Sequence, residues 1–284
     1  MVGSVMKYLK RTRPGSPTQL VAVALLVIAF GHTATTAKAD FAAGVVAYEK
    51  ADFITALKEW TAAAETGDAK AQYNLGVLHD EGKGVDLDHS AAVKWWSMAA
   101  KNGLAVAQHN LASAYIAGDG VKKNHRKAGS WLQKSADQGL ARSQYTLGKM
   151  YGYGMGVPKH DAQAAFWIGK AAEQGDMRAQ YNMGKILRDG KGMEKNLAES
   201  VDWFIRAAKQ GHVRAQAKLG KRYAAGAGIK RNDVMALKWS LLAAQNGNVA
   251  AIENVKTLKR RLSGKSITDA SRQARLWTPI QENN

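Results

Sequence analysis

AQYNLGVLHDEGKGV, residues 71–85, returns as AQHNLASAYIAGDGV at 107–121, SQYTLGKMYGYGMGV at 143–157, AQYNMGKILRDGKGM at 179–193 and AQAKLGKRYAAGAGI at 215–229. Each copy lies 36 residues after the last, and no insertion or deletion disturbs the register. A small pair keeps the same beat, from Ala63-Ala64 through Ala99-Ala100, Ser135-Ala136, Ala171-Ala172 and Ala207-Ala208 to Ala243-Ala244. Three residues after each pair stands Gly67, Gly103, Gly139, Gly175, Gly211 or Gly247. A fixed period of this length marks a solenoid, in which each unit buries its apolar face only against its neighbours.

One period encodes two helices. Ala71, Leu75, Leu78 and His79 fall at i, i+4, i+7 and i+8, an apolar stripe at helical spacing. The stripe repeats as Ala107, Leu111, Ala114 and Tyr115, and again in later copies. The Gly-x-Gly ends this first helix, because glycine takes the positive φ that turns the chain. Val85, Val121, Val157, Met193 or Ile229 follows and is expected to plug the turn into the core. Asp88, Asn124, His160, Asn196 and Asn232 mark the start of the second helix, and four of these five are favoured N-cap residues. Asn196 and Glu199 have capping-box spacing. The second helix carries Trp95, Trp131, Trp167, Trp203 or Trp239, with Trp96, Leu132, Ile168, Phe204 or Ser240 beside it. Large rings facing small alanines let antiparallel helices approach without voids.

The pattern A-x-A-Q-Y-N-L-G, G-x-G-V, A-x-x-W-x-x-x-A-A-x-x-G resembles the Sel-one-like repeat (SLR) family, relatives of the tetratricopeptide repeats. The resemblance covers residues 68–247, with Ala112 in place of the usual glycine and His79 and Leu187 in place of tyrosine. It implies an all-α fold, a right-handed α-solenoid of antiparallel helix pairs. The expected organisation is a signal peptide at 1–39, an opening helix pair at 40–67, repeats at 68–103, 104–139, 140–175, 176–211 and 212–247, and C-terminal capping helices at 248–284. Within that last segment, residues 268–277 resemble the closing helix of secreted family members, with Pro279 ending it. SLR relatives commonly act as adaptors, which implies a protein-binding scaffold.

The 284 residues are 46% hydrophobic and 23% charged, ordinary for a folded chain. No cysteine is present, which removes disulfides, thiolate metal sites and cysteine nucleophiles. Lys7, Lys10, Arg11 and Arg13 precede an apolar run at residues 20–30, and Ala37-Lys38-Ala39 supplies a cleavage signal. A periplasmic or secreted location follows, and a membrane is involved only if that segment is left uncleaved. Cleavage after Ala39 leaves 36 basic against 23 acidic residues, a net charge of +13. An exported chain rarely meets nucleic acid, so the expected partner is an acidic protein, or else an anionic glycan or cell-wall component.

Chemistry is scarce. His79, His109, His125, His160 and His212 each stand alone, so neither a metal site nor a bound cofactor is expected. The Gly-x-Gly loops lack the strand before and the lysine-serine after that a phosphate loop needs. No serine has nucleophile-elbow context, and no catalytic residue is nominated. Gln72, Gln108, Gln144, Gln180 and Gln216 border the core and are read as hydrogen-bonding groups between repeats.

A partner is expected on the first-helix face opposite the core, which stacking places on the inner, concave surface. Its aromatic column is Tyr73, His109, Tyr145 and Tyr181; its cations, concentrated in the later copies, are Arg142, Lys149, Arg178, Lys185, Arg188, Arg214 and Lys221. The expected product is an exported, non-catalytic scaffold of the bacterial cell envelope that holds its partner on this face. The alternatives are a cell-wall-directed hydrolase or antibiotic-binding enzyme, and a virulence factor acting on a host protein.

Overall fold

A computed structural model describes residues 41–280; the expected signal peptide at 1–39 lies outside them. Among the described residues there are helices and no strand, and none of the helices is long and apolar enough to cross a membrane. The opening pair is α1 (Phe41–Glu49) and α2 (Phe53–Glu65). Five pairs follow: α3 (Ala69–Glu81) with α4 (His89–Lys101), α5 (Ala105–Ala117) with α6 (His125–Asp137), α7 (Ala141–Tyr153) with α8 (Asp161–Glu173), α9 (Met177–Asp189) with α10 (Leu197–Lys209), and α11 (Val213–Ala225) with α12 (Asp233–Gln245). Two closing helices are α13 (Val249–Arg261) and α14 (Gly264–Arg275). They form two compact units, residues 41–140 with 155–157 and residues 141–154 with 158–280. Within each unit successive helices pack on one another up to α13, and α14 packs back on α12, which makes the chain an all-α solenoid.

The five repeated helix pairs share one set of punctuation marks. Gly82, Gly154 and their equivalents adopt the left-handed conformation that ends the first helix, as the pattern required. The second glycine of each loop has a further duty. A β-carbon on Gly84 would meet the backbone of Phe53, the first residue of α2; Gly120 faces His89, Gly156 faces His125, Gly192 faces Asp161 and Gly228 faces Leu197 in the same way. Each loop therefore rests on the first turn of the preceding pair's second helix. All five expected N-cap residues cap, including His160, whose Nδ1 accepts from Gln163 N–H at 3.2 Å.

Three local expectations are corrected. Met193 is 38% exposed and plugs nothing, whereas Val85, Val121 and Ile229 pack on core clusters. Asn196 and Glu199 make no reciprocal capping box. Glu199 N–H donates to Asn196 Oδ1 at 3.1 Å, but the Glu199 carboxylate accepts from the Asn196 side-chain amide and Trp203 Nε1, not from the Asn196 backbone N–H, which donates to Leu187 O at 2.9 Å. The closing helix begins at Gly264, capped by Ser263, and ends at Arg275 before Pro279 is reached. The tail then turns back, with Ile280 N–H on Lys209 O at 2.9 Å and Trp277 edge-on to Trp239.

The expected tryptophan column is not the deepest one. Trp96, Leu132, Phe204 and Ser240 are at most 2% exposed, while Trp95, Trp131 and Trp203 are half-buried at cluster edges. Trp167 and Trp239 are buried. The deeper column meets the first helix of its own copy at a glycine. A β-carbon on Gly148 or Gly184 would lie 2.7 Å from Ile168 Cγ1 or Phe204 Cε1, and Gly76 abuts the Trp96 ring just as closely. Ala112, the one copy with a β-carbon here, belongs to the pair whose second helix offers Leu132. Gly184→Ala is therefore expected to destabilise by about 1–3 kcal/mol through overpacking, despite a helix-propensity gain of about 1 kcal/mol. In a Phe204→Leu background the cost should shrink, and urea denaturation of the four-member cycle measures that coupling.

The recurring glutamines form a ladder across the stack. Gln72 Nε2 donates to Ala64 O at 3.1 Å, and its Oε1 accepts from Asn102 Nδ2 at 2.9 Å. Gln108 with Gln138 and Gln180 with Gln210 repeat the arrangement, each tying three successive helices together. In the fifth copy Gln216 Oε1 is buried without a partner, and the shorter Asn246 donates to Leu242 O at 3.0 Å. Asn246→Gln should complete this rung and stabilise the chain by about 0.5–1.5 kcal/mol in chemical denaturation.

Candidate functional site

The nominated face divides between the two units. In the first unit its charges are already engaged. Asp80 Oδ1 lies 2.9 Å from His89 Nδ1, and Lys70 Nζ sits over the Phe41 ring at 6.0 Å. Tyr73 is half-buried against the cluster built on Trp96 and Leu111, and His109 is half-buried on the same helix face. The column is thus aromatic at Tyr73, but its ring serves packing between copies.

In the second unit the same is true of both remaining tyrosines. Tyr145 is 6% exposed, its hydroxyl accepts from Asn182 Nδ2 at 3.2 Å, and burial pushes its pKa up to about 12. It offers no ring to a partner, contrary to the sequence expectation. Tyr181 is half-buried, stacked on His212 with centroids 4.5 Å apart and packed against the cluster built on Phe204. An aromatic consensus position looks outward on a helical wheel, but in a stack of helices it faces the next copy.

The seven nominated cations separate into two sets. At the N-terminal end of the first helices, Arg178 forms a fork to Asp176, with Nη2–Oδ2 at 2.8 Å, and its guanidinium lies 5.0 Å from the Tyr145 ring centroid. Burial opposes that charge, yet the Asp176 carboxylate prevails and raises the pKa. Arg142 occupies the equivalent place with its Nε buried, and Arg214 is exposed at the same position one copy on. Four residues from the C-terminal end of each helix stand Lys149, Lys185 and Lys221, spaced by one repeat. Among the described residues no carboxylate pairs with any of the three. Arg188 joins this end, but its guanidinium is bidentate on Asp189, with Nε–Oδ1 at 2.6 Å.

Two members of the cluster fall outside the sequence nomination. Lys218 and Arg222 of α11 face Arg188, and burial followed by that like charge depresses the pKa of both. Lys185 is depressed likewise, by burial and then by Lys149 and Arg188. Arg222 sits where the other copies carry Leu78, Ala114, Met150 and Ile186, an apolar position by periodicity. The signal was there in the stripe's failure at its fifth return. Among the described residues no group of histidine, aspartate and glutamate is placed to hold a metal ion.

A solenoid of helix pairs tied together by a polar ladder is the architecture of a repeat protein. The Sel1 repeat model matches residues 69–104, 105–140, 141–176, 178–212 and 213–248, and the chain belongs to that family. Sel1 repeat proteins generally form non-catalytic protein-interaction scaffolds. The chain is 29% identical to a Sel1 repeat protein from Oxalobacter formigenes over 83% of its own length and 98% of the other, with a TM-score of 0.73. It is 23% identical to c5321, a protective antigen of uropathogenic Escherichia coli, over 82% and 74%, with a TM-score of 0.40. With the immunity protein Pa5087 from Pseudomonas aeruginosa it shares 18% over 84% and 87%, with a TM-score of 0.43. No curated protein matches the chain.

His212 couples this face to pH. Its Nδ1 accepts from Ala215 N–H at 3.2 Å and so caps α11, and the ring is largely enclosed by Tyr181. Burial, with help from Arg214 and Arg178 and against Asp176, lowers its pKa from 6.5 to about 4. The folded state therefore refuses a proton that the unfolded chain accepts below pH 6.5. Stability is fully present above pH 6.5 and is lost as pH falls toward 4, by up to about 3 kcal/mol from this residue. His212→Asn keeps a capping side chain and should flatten that part of the slope between pH 7 and 4.5 in urea denaturation, when compared with the wild type.

Proposed function

We propose that this protein is a non-catalytic, exported adaptor of the bacterial cell envelope that holds an acidic protein partner on the first-helix face of its second unit. The observation that carries the reading is the row of lysines, Lys149, Lys185 and Lys221, left without carboxylates while neighbouring arginines are paired. A field of one sign draws in an oppositely charged partner and makes capture sensitive to salt. Export rests on the basic N-terminus, the apolar run at 20–30 and Ala37-Lys38-Ala39. Scaffold rather than enzyme rests on the family and on helices whose polar residues are spent on caps and ladder.

Osmotic-shock fractionation of cells carrying the full-length tagged chain should place it with the periplasm, and mass spectrometry should find Asp40 as the new N-terminus. Crosslinking in that fraction should enrich a small set of proteins, with recovery falling at high salt. Retention of the whole chain in the cytosol would refute export, and a crosslink pattern indifferent to salt would refute an electrostatic partner.

A further inference from the structure

The C-terminal halves of α7, α9 and α11, with Lys218 at the middle of α11, carry six cations, Lys149, Lys185, Arg188, Lys218, Lys221 and Arg222, and one carboxylate among them, Asp189. Three of the lysines recur at one-repeat intervals. Lys149 Nζ lies 3.2 Å from the Tyr153 hydroxyl and 4.6 Å from its ring centroid, and Tyr153 is 52% exposed. Lys185 Nζ lies 5.8 Å from the Tyr181 centroid. An open ring thus stands beside the first lysine of the series.

Cations near a helix C-terminus complement the helix dipole, by about 0.3–1 kcal/mol each. That role does not account for the cluster. The equivalent end of α3 carries Asp80 and Glu81, and that of α5 carries neither acid nor base, yet both helices form and end on the same left-handed glycine. Crowding also has a cost. Lys185, Lys218 and Arg222 are all pushed toward their neutral forms, first by burial and then by neighbouring cations, with Arg188 acting on all three. Stacking needs none of this, as the first unit shows. The Arg142, Arg178 and Arg214 positions contrast with it, since Arg178 is consumed by Asp176 and Tyr145.

We infer that this cationic row is the partner-contacting site, and that its ligand is an extended acidic polypeptide segment laid across α7, α9 and α11. The inference rests on the scaffold reading above and narrows it to one end of the face. Separate ammonium groups at one-repeat intervals act as point charges, and they suit single carboxylates presented at intervals along an extended chain. Tyr153 adds apolar surface for the segment's own side chains.

The test is fluorescence anisotropy with a fluorescein-labelled peptide of alternating glutamate and serine, about twelve residues long. Such a chain spans roughly 40 Å extended, longer than three helix diameters of about 10–12 Å each. The full-length mature protein should bind it at low salt and weaken steeply at about 0.15 M. Lys149→Glu/Lys185→Glu/Lys221→Glu should lose at least about tenfold in affinity. Lys134→Glu/Lys170→Glu/Arg206→Glu, which makes the same charge change on second helices, should stay within about twofold. If the reversed triple fails to fold by circular dichroism, Lys149→Gln/Lys185→Gln/Lys221→Gln takes its place, with the same loss expected. Equal losses in both triples would reduce the effect to net charge and overturn the site. So would no loss in either, or binding of dextran sulfate through the same lysines with none of the peptide. A wild-type partner recovered by envelope crosslinking and equally by the lysine triple would sink this site alone. No crosslinked partner at all would sink the scaffold reading instead.

Discussion

Everything in this fold hangs on a backbone touching a backbone. The second glycine of each Gly-x-Gly loop presses against the opening residue of the preceding pair's second helix, where any β-carbon would collide with main-chain atoms. A flexible side chain could move aside; a helix's first turn cannot. That contact fixes how closely one pair sits on the last, and hence which residues further along meet across the seam. The glutamine ladder reaches its carbonyls only at that separation, and the tyrosines fill the space it leaves. A one-residue insertion would break all of these together, which accounts for a 36-residue period without exceptions.

The fold was legible because its determinants are local and repeat five times. Helix caps, left-handed glycines and small pairs each act within a few residues, and their recurrence at one spacing leaves little freedom in the reading. What the sequence concealed was which of two adjacent ring columns goes deeper. A helical wheel separates neighbours by about 100°, and both Trp203 and Phe204 then fall on the broad buried arc. Only the glycine opposite Phe204 decides between them, and that is a contact between helices.

The candidate site was half legible. The three lysines at one-repeat intervals could be read directly, because the wheel sets that position opposite the apolar stripe. The pairing of Arg178 and Arg188 with aspartates was within reach too, since Asp176 and Asp189 are two and one residues away. The roles of Tyr145 and Tyr181 were not, because single-helix geometry does not say that an outward position abuts the following pair. Arg222 escaped for the opposite reason. It occupies a slot that periodicity assigns to the core, in the copy where that slot has opened to a charged neighbourhood.

The match between each first-helix glycine and its own second-helix partner bears on how such a gene can change. Gly76 faces Trp96 and Gly184 faces Phe204 within single repeats, whereas the contacts between repeats use the same chemistry at nearly every seam. Unequal crossing-over at repeat boundaries would therefore add or delete a unit with every ring still opposite its hollow. A breakpoint inside a repeat, joining the helix of Ala112 to that of Trp96, would set a methyl group into a tryptophan. Array length can drift by whole units, but a join that carries Ala112 away from Leu132 meets a steric barrier.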